Sequence, residues 1–262
     1  METHTFAIVT GAASGMGWCY AIQLAEKGYA VLLVDIKEEA LQELSCTISR
    51  DFDVPAPTLC ADLSEPSSAR RIVDLCKEKG WEVEILVNNA GMLITTPIAE
   101  TEAERLQRII ALHCTTPLLL CRGLIPLMEK RGAGYILNVS SISAWMDWPV
   151  IGIYGCTKRF VKGYSRALRI ECADKSVSVT TAIFGAVDTP LLRGLTFMRM
   201  RKLLLLSGFL ISPEKATRLA LRTMFRRKAT VLPGLSNRLV VALCPLMPDF
   251  LLRFLFRRIK IQ

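Results

Sequence analysis

Short apolar runs alternate with amphipathic stretches along most of the chain. Five apolar runs have the length and composition of buried strands, at 6–9, 30–34, 57–61, 85–87 and 135–139. Between them the apolar positions recur with helical spacing, at 18–27, at 38–49, after 66 and at 102–128. A later helix is predicted from Ser212 to about 227, and a last strand at 231–233. This alternation predicts an α/β fold with a doubly wound parallel sheet, helices on both faces, and ligands at the carboxyl ends of the strands.

A glycine-rich turn joins the first strand to the first helix and reads Thr10-Gly11-Ala12-Ala13-Ser14-Gly15-Met16-Gly17. Placed between a strand and a helix, this motif is typical of dinucleotide-binding proteins. Glycine lets the backbone approach a pyrophosphate, and the helix N-terminus presents N–H groups to it. A tight turn without a ligand is the structural alternative. We predict cofactor contacts from six turn residues: Thr10, Gly11, Ser14, Gly15, Met16 and Gly17.

Two carboxylates follow the second and third predicted strands. Asp35 lies 18 residues after Gly17, near the ~20-residue offset expected of an acid that binds the adenosine ribose. Because a carboxylate repels a 2′-phosphate, Asp35 favours NAD over NADP, although the nearby Lys37 weakens this preference slightly. Asp62, followed by Leu63, could contact the adenine amino group or cap the next helix. The sequence leaves both roles of Asp62 open.

The reactive chemistry is expected at Tyr154, which forms a Tyr-x-x-x-Lys pair with Lys158. Residues four apart share one face of a helix. An ammonium held near a phenol favours the phenolate, and we expect it to lower the tyrosine pKa by roughly 1–3 units from its usual ~10. Ser141 lies 13 positions before Tyr154, where its hydroxyl could hold a carbonyl or alcohol oxygen. The alternative is that Tyr154 and Lys158 are an ordinary pair on the exposed face of a helix. The presence of Ser141 at this spacing makes that alternative less favoured.

Composition narrows the remaining classes of protein. In a chain of 262 residues, 51% are hydrophobic, which is enough for the core of one large domain. Only two histidines are present and the nine cysteines lack metal-ligand spacing, so we predict no metal site. We expect reduced, mostly buried thiols in a reducing compartment. The short polar start and the lack of an uninterrupted apolar stretch of ~20 residues predict no signal peptide and no transmembrane helix.

Five motifs occur in a fixed order: Thr10-Gly11-x-x-x-Gly15-x-Gly17, Asp35, Asn88-Asn89-Ala90-Gly91, Ser141 and Tyr154-x-x-x-Lys158. Together they resemble the short-chain dehydrogenase/reductase family over roughly residues 5–190. The resemblance implies a Rossmann-type sheet of about seven strands and nicotinamide-dependent interconversion of a secondary alcohol and a ketone.

The resemblance also implies a role for each matching residue. Tyr154 is expected to be the acid/base, Lys158 to bind the nicotinamide ribose and lower the tyrosine pKa, and Ser141 to orient the substrate oxygen. Further cofactor contacts are implied for Asn89, Ala90, Gly91, Val187 and Thr189.

Two positions depart from the family pattern. The family usually has an asparagine 28 residues before the catalytic serine, in a water-mediated proton path to the lysine, and here that position is His113. Histidine can donate, accept and titrate near neutral pH, so we include His113 among the candidate catalytic residues, with a packing histidine as the alternative. The second departure is Phe184, which replaces the proline that usually precedes Gly185.

The C-terminal third is expected to choose the substrate. The formal net charge is +9, and from Arg193 onward the only acids are Glu214 and Asp249. We divide the chain into a catalytic domain at 1–236, with an apolar lid at about 190–211, and a basic amphipathic extension at 237–262. A lid predicts a lipophilic substrate (fatty acyl, long-chain base or steroid), and the alternative is a helix packed on the core. The extension predicts contact with a membrane surface through 237–260, and the alternatives are a cover for a partner subunit or a roof over the substrate pocket.

The resulting hypothesis is a cytoplasmic, homodimeric or homotetrameric enzyme of the lipid, ketoacyl or hydroxysteroid reductase type, with NAD as the favoured cofactor and no nucleic-acid partner. Two alternatives remain open at this point. One is a nucleotide-binding sensor or scaffold with little catalysis, which His113 and Phe184 favour. The other is a peripheral membrane protein whose main role is lipid binding.

Overall fold

The structure, a computed structural model, describes residues 4–148, 151–192 and 210–258. Strands and helices alternate along these residues, as the apolar pattern predicted. In chain order they are β1 (Thr5–Thr10), α1 (Gly15–Ala25), β2 (Ala30–Asp35), α2 (Glu38–Phe52), β3 (Thr58–Cys60), α3 (Ser68–Glu78), β4 (Glu82–Asn88), α4 (Ala103–Ile110), α5 (Thr116–Arg131), β5 (Gly134–Ser141), α6 (Gly152–Glu171), β6 (Val177–Phe184), β7 (Ala186–Val187), β8 (Leu210–Ile211), α7 (Pro213–Phe225), β9 (Thr230–Val231), α8 (Leu235–Leu243) and α9 (Asp249–Arg258).

The central sheet contains seven strands in the order β3-β2-β1-β4-β5-β6-β9, and all of its pairs are parallel. After β3 the chain crosses back to the middle of the sheet, so β1 pairs with β2 on one side and β4 on the other. This reversal opens a crevice at the carboxyl ends of β1 and β4, the place where open α/β sheets bind ligands. The α/β doubly wound prediction is confirmed. Strand β6 was not among the strands predicted from the sequence.

Successive residues of β1 point to opposite faces of the sheet and define two cores. Ala7 and Val9 pack with α1, α2 and α7, whereas Phe6 and Ile8 pack with α3 and α5. All four side chains are nearly or fully inaccessible to solvent. Strands buried on both faces explain why the sequence shows continuous apolar runs instead of alternation.

The predicted helix at 102–128 is one long helix, α4 and α5, joined by a π-helical turn at Ala111–Thr115. By length and mean hydropathy alone, the helix at 103–131 could cross a membrane, although it contains no uninterrupted apolar stretch of ~20 residues. Half of its apolar window is nevertheless buried inside the protein, with Leu120 and Leu124 fully inaccessible. Its packing against the sheet is that of a core helix.

The predicted C-terminal extension starts as part of the fold. Helix α8 begins at Leu235, so the boundary drawn at 236 falls inside it. Asn237 is only 3% exposed, and its side chain packs directly on Gly185, where any Cβ would collide with it. Of the predicted lid at 190–211, the ends are described, as a short 3-10 turn at Pro190–Leu192 and as β8, while 193–209 lies outside the described residues.

The nine cysteines are free thiols in the structure. The expectation that most are buried is wrong. Only Cys76, Cys121 and Cys172 are buried, three are half-buried, and three are exposed: Cys46, Cys60 and Cys156.

Two helical glycines provide a matched test of the packing between α3 and α5. A Cβ on Gly123 of α5 would lie 2.5 Å from a methyl carbon of the buried Val73, whereas a Cβ on Gly163 of α6 would meet nothing within 4 Å. We therefore expect Gly123→Ala to lower the free energy of unfolding by about 1–3 kcal/mol through overpacking. Gly163→Ala should raise it by up to about 1 kcal/mol, because alanine is the better helix former. Urea unfolding measures both, and equal effects of the two substitutions would contradict this packing.

Candidate active site

A cavity of about 600 Å³ lies at the carboxyl ends of the strands, over the point between β1 and β4 where the strand order reverses. Most of the residues predicted from the sequence line it: Gly11, Ser14, Gly15, Met16, Asp35, Asp62, Leu63, Asn89, Ala90, Gly91, Ser141, Tyr154, Lys158, Val187 and Thr189. Thr10, Gly17 and His113 do not line it, and the structure places them in the wall behind.

Thr10 and Asn89 join the two central strands at the base of this cavity. The Thr10 hydroxyl donates to the Val87 carbonyl at 3.1 Å and accepts from the backbone N–H groups of Asn89 and Ala90 at 3.0 and 3.1 Å. The Asn89 amide donates to the carbonyl oxygens of Thr10 and Gly11 at 3.0 and 3.3 Å. These bonds set the distance between the glycine turn and the loop after β4.

The glycine turn meets the requirements of a pyrophosphate site. Gly11 and Gly15 have φ of +67° and +55°, a conformation that favours glycine. Gly17 allows α1 to pack directly on the Gly11 carbonyl, where a Cβ would collide. Ser14, the residue before α1, makes no side-chain capping bond within the described chain, so the first N–H groups of α1 face the cavity without that competitor. A dinucleotide phosphate therefore fits here.

Asp35 lies at the end of β2, where the adenosine end of such a cofactor is expected. One carboxylate oxygen accepts from the Ala13 amide at 3.1 Å, and the other accepts from the amides of Ile36 and Lys37 at 2.8 and 3.1 Å. These bonds hold the charged carboxylate at the cavity wall. Lys37 also lines the cavity, as its position near Asp35 in the sequence indicated.

Asp62 lines the cavity, but its carboxylate already has partners. One oxygen accepts from both the backbone and the hydroxyl of Ser64, at 2.8 and 2.6 Å, and the other forms an ion pair with Arg108 at 2.7 Å. Burial opposes ionisation, yet these hydrogen bonds and the Arg108 charge lower the pKa of Asp62. Ser67 directly precedes α3, which rules out the open alternative that Asp62 caps that helix, and Asp62 instead braces a turn at the cavity wall.

Tyr154 lies in the first turn of α6, opposite Ser141 at the end of β5. The Ser141 oxygen accepts from the Ser143 amide at 3.2 Å, which leaves its own hydrogen to donate. Burial raises the pKa of Tyr154 to about 12, and the hydrogen bond with Ser141 opposes that rise. The predicted lowering by Lys158 is wrong in direction, because loss of solvation outweighs the other influences on the phenol.

Lys158 follows one helical turn later and is only 6% exposed. Its ammonium donates to the Val139 carbonyl at 3.0 Å and lies 5.6 Å from the centre of the Tyr154 ring. Burial lowers the pKa of Lys158 to about 8, and no carboxylate among the described residues forms an ion pair with it. The site therefore holds an ammonium that loses its proton near neutral pH.

His113 belongs to the π-helical turn, where it is only 1% exposed. The Thr157 hydroxyl donates to the Tyr154 carbonyl at 2.8 Å, so the proton in the 2.8 Å contact between His113 Nδ1 and Thr157 must come from Nδ1. Nε2 then accepts from the Met92 amide at 3.0 Å. Burial, followed by the nearby Lys158 charge, holds the pKa of His113 well below its usual range.

These contacts correct the expectation that His113 takes part in proton transfer. Both ring nitrogens are engaged by protein groups, and the ring is neutral. Its ring lies edge-on to Tyr154, with centroids 5.7 Å apart. His113 is a positioning residue that links the loop after β4 to the helix carrying Tyr154.

Several supporting residues were missed by the sequence analysis. Ser140 donates to the Lys158 carbonyl at 2.8 Å, and Thr157 and Met92 complete the contacts of His113. Gly155 allows α6 to approach the carbonyl of Ser143, which would lie 2.9 Å from a Cβ. The glycine directly after Tyr154 was the one local feature of the sequence that could have indicated this close approach. Phe184 is a buried core residue that pairs with Ser141 across β5 and β6 and also lines the cavity.

Comparison with known proteins agrees with this geometry. The chain is 32% identical over 202 residues to 17-beta-hydroxysteroid dehydrogenase type 3 of Rattus norvegicus, covering 75% of this chain and 64% of that protein. It is 32% identical over 190 residues to a very-long-chain 3-oxoacyl-CoA reductase of Neurospora crassa, covering 71% and 57%. A short-chain dehydrogenase from Sphingobium yanoikuyae, solved in complex with NADPH, superposes with a TM-score of 0.80 at 25% identity over 98% of each chain.

The family model for short chain dehydrogenases matches residues 5–199. That match contains the glycine turn, the strands that surround the cavity, and the Ser141, Tyr154 and Lys158 constellation. The chain therefore belongs to the short-chain dehydrogenase/reductase family of nicotinamide-dependent oxidoreductases.

Proposed function

We propose that this oxidoreductase reduces a ketone on a lipophilic substrate to the secondary alcohol, with Tyr154 as the proton donor. The observation that carries the proposal is the half-buried Tyr154, whose phenol faces the cavity beside the Ser141 hydroxyl. A phenol with a pKa of about 12 is protonated at pH 7. It can give its proton to a carbonyl oxygen that accepts a second hydrogen bond from Ser141.

The protonation of Tyr154 favours reduction over oxidation near neutral pH. Oxidation of an alcohol needs a base to take its proton, and a phenol that ionises near pH 12 is a poor source of that base at pH 7. Lys158 lies on the same helix face, and its pKa of about 8 makes it the more labile proton reservoir. We infer that Lys158 restores the proton that Tyr154 gives away.

A nicotinamide cofactor supplies the hydride when it is bound. The glycine turn and the N-terminus of α1 would hold its phosphates, and Asp35 the adenosine ribose. Val187 and Thr189 line the cavity together with Tyr154 and Lys158, which supports the predicted contacts at the nicotinamide end.

We further propose that NAD is preferred. The carboxylate of Asp35 is held in place by three backbone N–H groups, and it would repel a 2′-phosphate. Two observations oppose this preference. Lys37 lines the same part of the cavity, and the Sphingobium dehydrogenase was solved with NADPH.

The lipophilic class of substrate is supported by the apolar part of the cavity and by the named relatives. Met92, Leu112, Leu191 and Leu192 line the cavity. The rat and Neurospora relatives carry the names of a hydroxysteroid dehydrogenase and a very-long-chain 3-oxoacyl-CoA reductase. Steroid ketones and long-chain 3-oxoacyl compounds are therefore the first substrates to try, together with 3-ketosphinganine.

We propose that the chain forms a homodimer or homotetramer, with the contact between copies built on the two long helices α5 and α6. Leu118 and Leu119 of α5 and Phe160 of α6 are exposed, which supports an apolar contact between copies.

The first prediction concerns turnover. With NADH and NADPH in parallel against this panel of ketones, loss of nicotinamide absorbance should occur and should fall at least about 10²-fold in Tyr154→Phe, the scale of a lost general acid. Tyr164→Phe is the matched control, because Tyr164 lies on the same helix and is also half-buried, with a buried hydroxyl, but does not line the cavity. Unchanged turnover in Tyr154→Phe would contradict its role. Cofactor binding without turnover of any ketone would instead favour the sensor alternative.

The second prediction concerns the cofactor. Wild-type kcat/KM should be higher with NADH than with NADPH, and Asp35→Asn should shift the ratio toward NADPH at least about tenfold, because it removes a charge facing the 2′ position. Asp62→Asn is the matched control in the same cavity and should affect both cofactors alike. A wild-type preference for NADPH would leave the proposed ketone reduction standing but would overturn the argument that Asp35 selects NAD.

The third prediction concerns Lys158 and stability. Its pKa is about 8 in the folded state against 10.5 for the free side chain, so between these values the unfolded state binds the extra proton. Below about pH 8, the buried ammonium of Lys158 therefore lowers the free energy of unfolding by its full amount. This destabilisation should disappear as the pH rises from about 8 to 10.5.

At pH 7 we expect Lys158→Met to be more stable than the wild type by up to about 3 kcal/mol in urea unfolding, and to lose turnover. Lys79→Met removes an exposed lysine after α3 and should change stability little. A large destabilisation by Lys158→Met, equal at pH 7 and pH 10, would contradict the lowered pKa.

A further inference from the structure

One face of α8 exposes a continuous row of large apolar side chains. Leu235, Leu239 and Leu243 are spaced by one helical turn and are 73%, 53% and 60% exposed. Two further large apolar side chains follow in the chain, Leu246 and Phe250, which are 77% and 74% exposed. Single exposed apolar residues are ordinary, but a contiguous row of this kind marks an interaction surface. We refer to Leu235, Leu239, Leu243, Leu246 and Phe250 as the C-terminal apolar row.

The opposite side of α8 is fixed to the catalytic fold. Asn237 lies two positions after Leu235, which places it on the far side of the helix. It is only 3% exposed, packs on Gly185, and donates to the Pro233 carbonyl at 2.8 Å. Helix α8 also contacts 142–145, the turn that directly follows Ser141. The fold therefore presents the first three members of the row, Leu235, Leu239 and Leu243, outward on a helix attached to the catalytic fold.

The charges beside the row are almost all positive. Arg238 and Arg253 are exposed next to it. Between 235 and 262 the sequence has five basic residues, and its one acid is Asp249. Apolar side chains bordered by arginines match the boundary between the acyl chains and the phosphates of an anionic bilayer. A two-fold contact with a second copy would instead bring the same arginines together, which makes that occupant less favourable.

We propose that the C-terminal apolar row, with Arg238 and Arg253, binds the surface of an anionic lipid bilayer and holds the enzyme there. Gly185, on which α8 is anchored, also lines the catalytic cavity. A lipophilic substrate dissolved in the bilayer would thus be concentrated beside the site that uses it. Binding to the bilayer does not depend on the proposed ketone reduction, and it is measured without turnover.

The test is co-sedimentation of the full chain with phosphatidylcholine vesicles, with and without about one third phosphatidylglycerol. The wild type should bind the anionic vesicles, and binding should weaken at high salt because the arginine–phosphate attraction is screened. Leu239→Glu with Leu243→Glu should reduce the bound fraction at least tenfold. Ile98→Glu with Ile170→Glu is the matched control, because Ile98 and Ile170 are 62% and 67% exposed outside the row.

Unchanged thermal unfolding and cofactor binding would show that both double variants are folded. Failure of the wild type to bind anionic vesicles would overturn the proposal, as would equal loss of binding in the control variant. If the wild type binds no vesicles and the Leu239/Leu243 variant changes from dimer to monomer in analytical ultracentrifugation, the row belongs to a contact between copies and the proposal fails.

Discussion

The hydroxyl of Thr10 connects the two central strands, β1 and β4, at the point where the strand order reverses. The site is arranged around that connection. It donates to the Val87 carbonyl and accepts from two amides after β4. The Asn89 amide returns two bonds to the glycine turn, which α1 then contacts through Gly17. Polar groups buried at a strand end are stable when they are satisfied in this way. The crevice thereby keeps a fixed floor beneath the expected cofactor.

Above that floor, burial controls the protonation of the reactive groups. Loss of solvation disfavours the charged form of every group, so the pKa of Tyr154 rises while those of Lys158 and His113 fall. No described carboxylate pairs with Lys158 to oppose this effect. The site thus combines a protonated phenol with a labile ammonium and a neutral imidazole, a combination suited to proton donation.

The sequence predicted those parts of the site that depend on local spacing. The glycine turn, Asp35 and the Tyr154–Lys158 pair each follow from residues close in the chain, and the structure places all of them on one cavity. The pKa direction of Tyr154 was predicted wrongly because the extent of burial depends on elements far away in the chain.

Long-range contacts account for the other differences. His113 could not be assigned from the sequence because its role depends on Met92 and Thr157, which are 21 and 44 residues away. Likewise, the contact of Asn237 with Gly185 joins helix α8 to the site, although nothing in either segment alone indicates it.

The most direct measurement of the central claim is the pH profile of kcat/KM for the ketone at saturating reduced cofactor, which reports the ionisations of the enzyme that meets the ketone and includes the proton transfer. With Tyr154 as a protonated acid and Lys158 as its reservoir, the profile should be flat from about pH 6 and fall above about pH 8, where Lys158 loses its proton. A neutral His113 adds no step near pH 6.5. A rate that rises with pH through 8, or that follows a group near 6.5, would contradict this assignment of the proton donor.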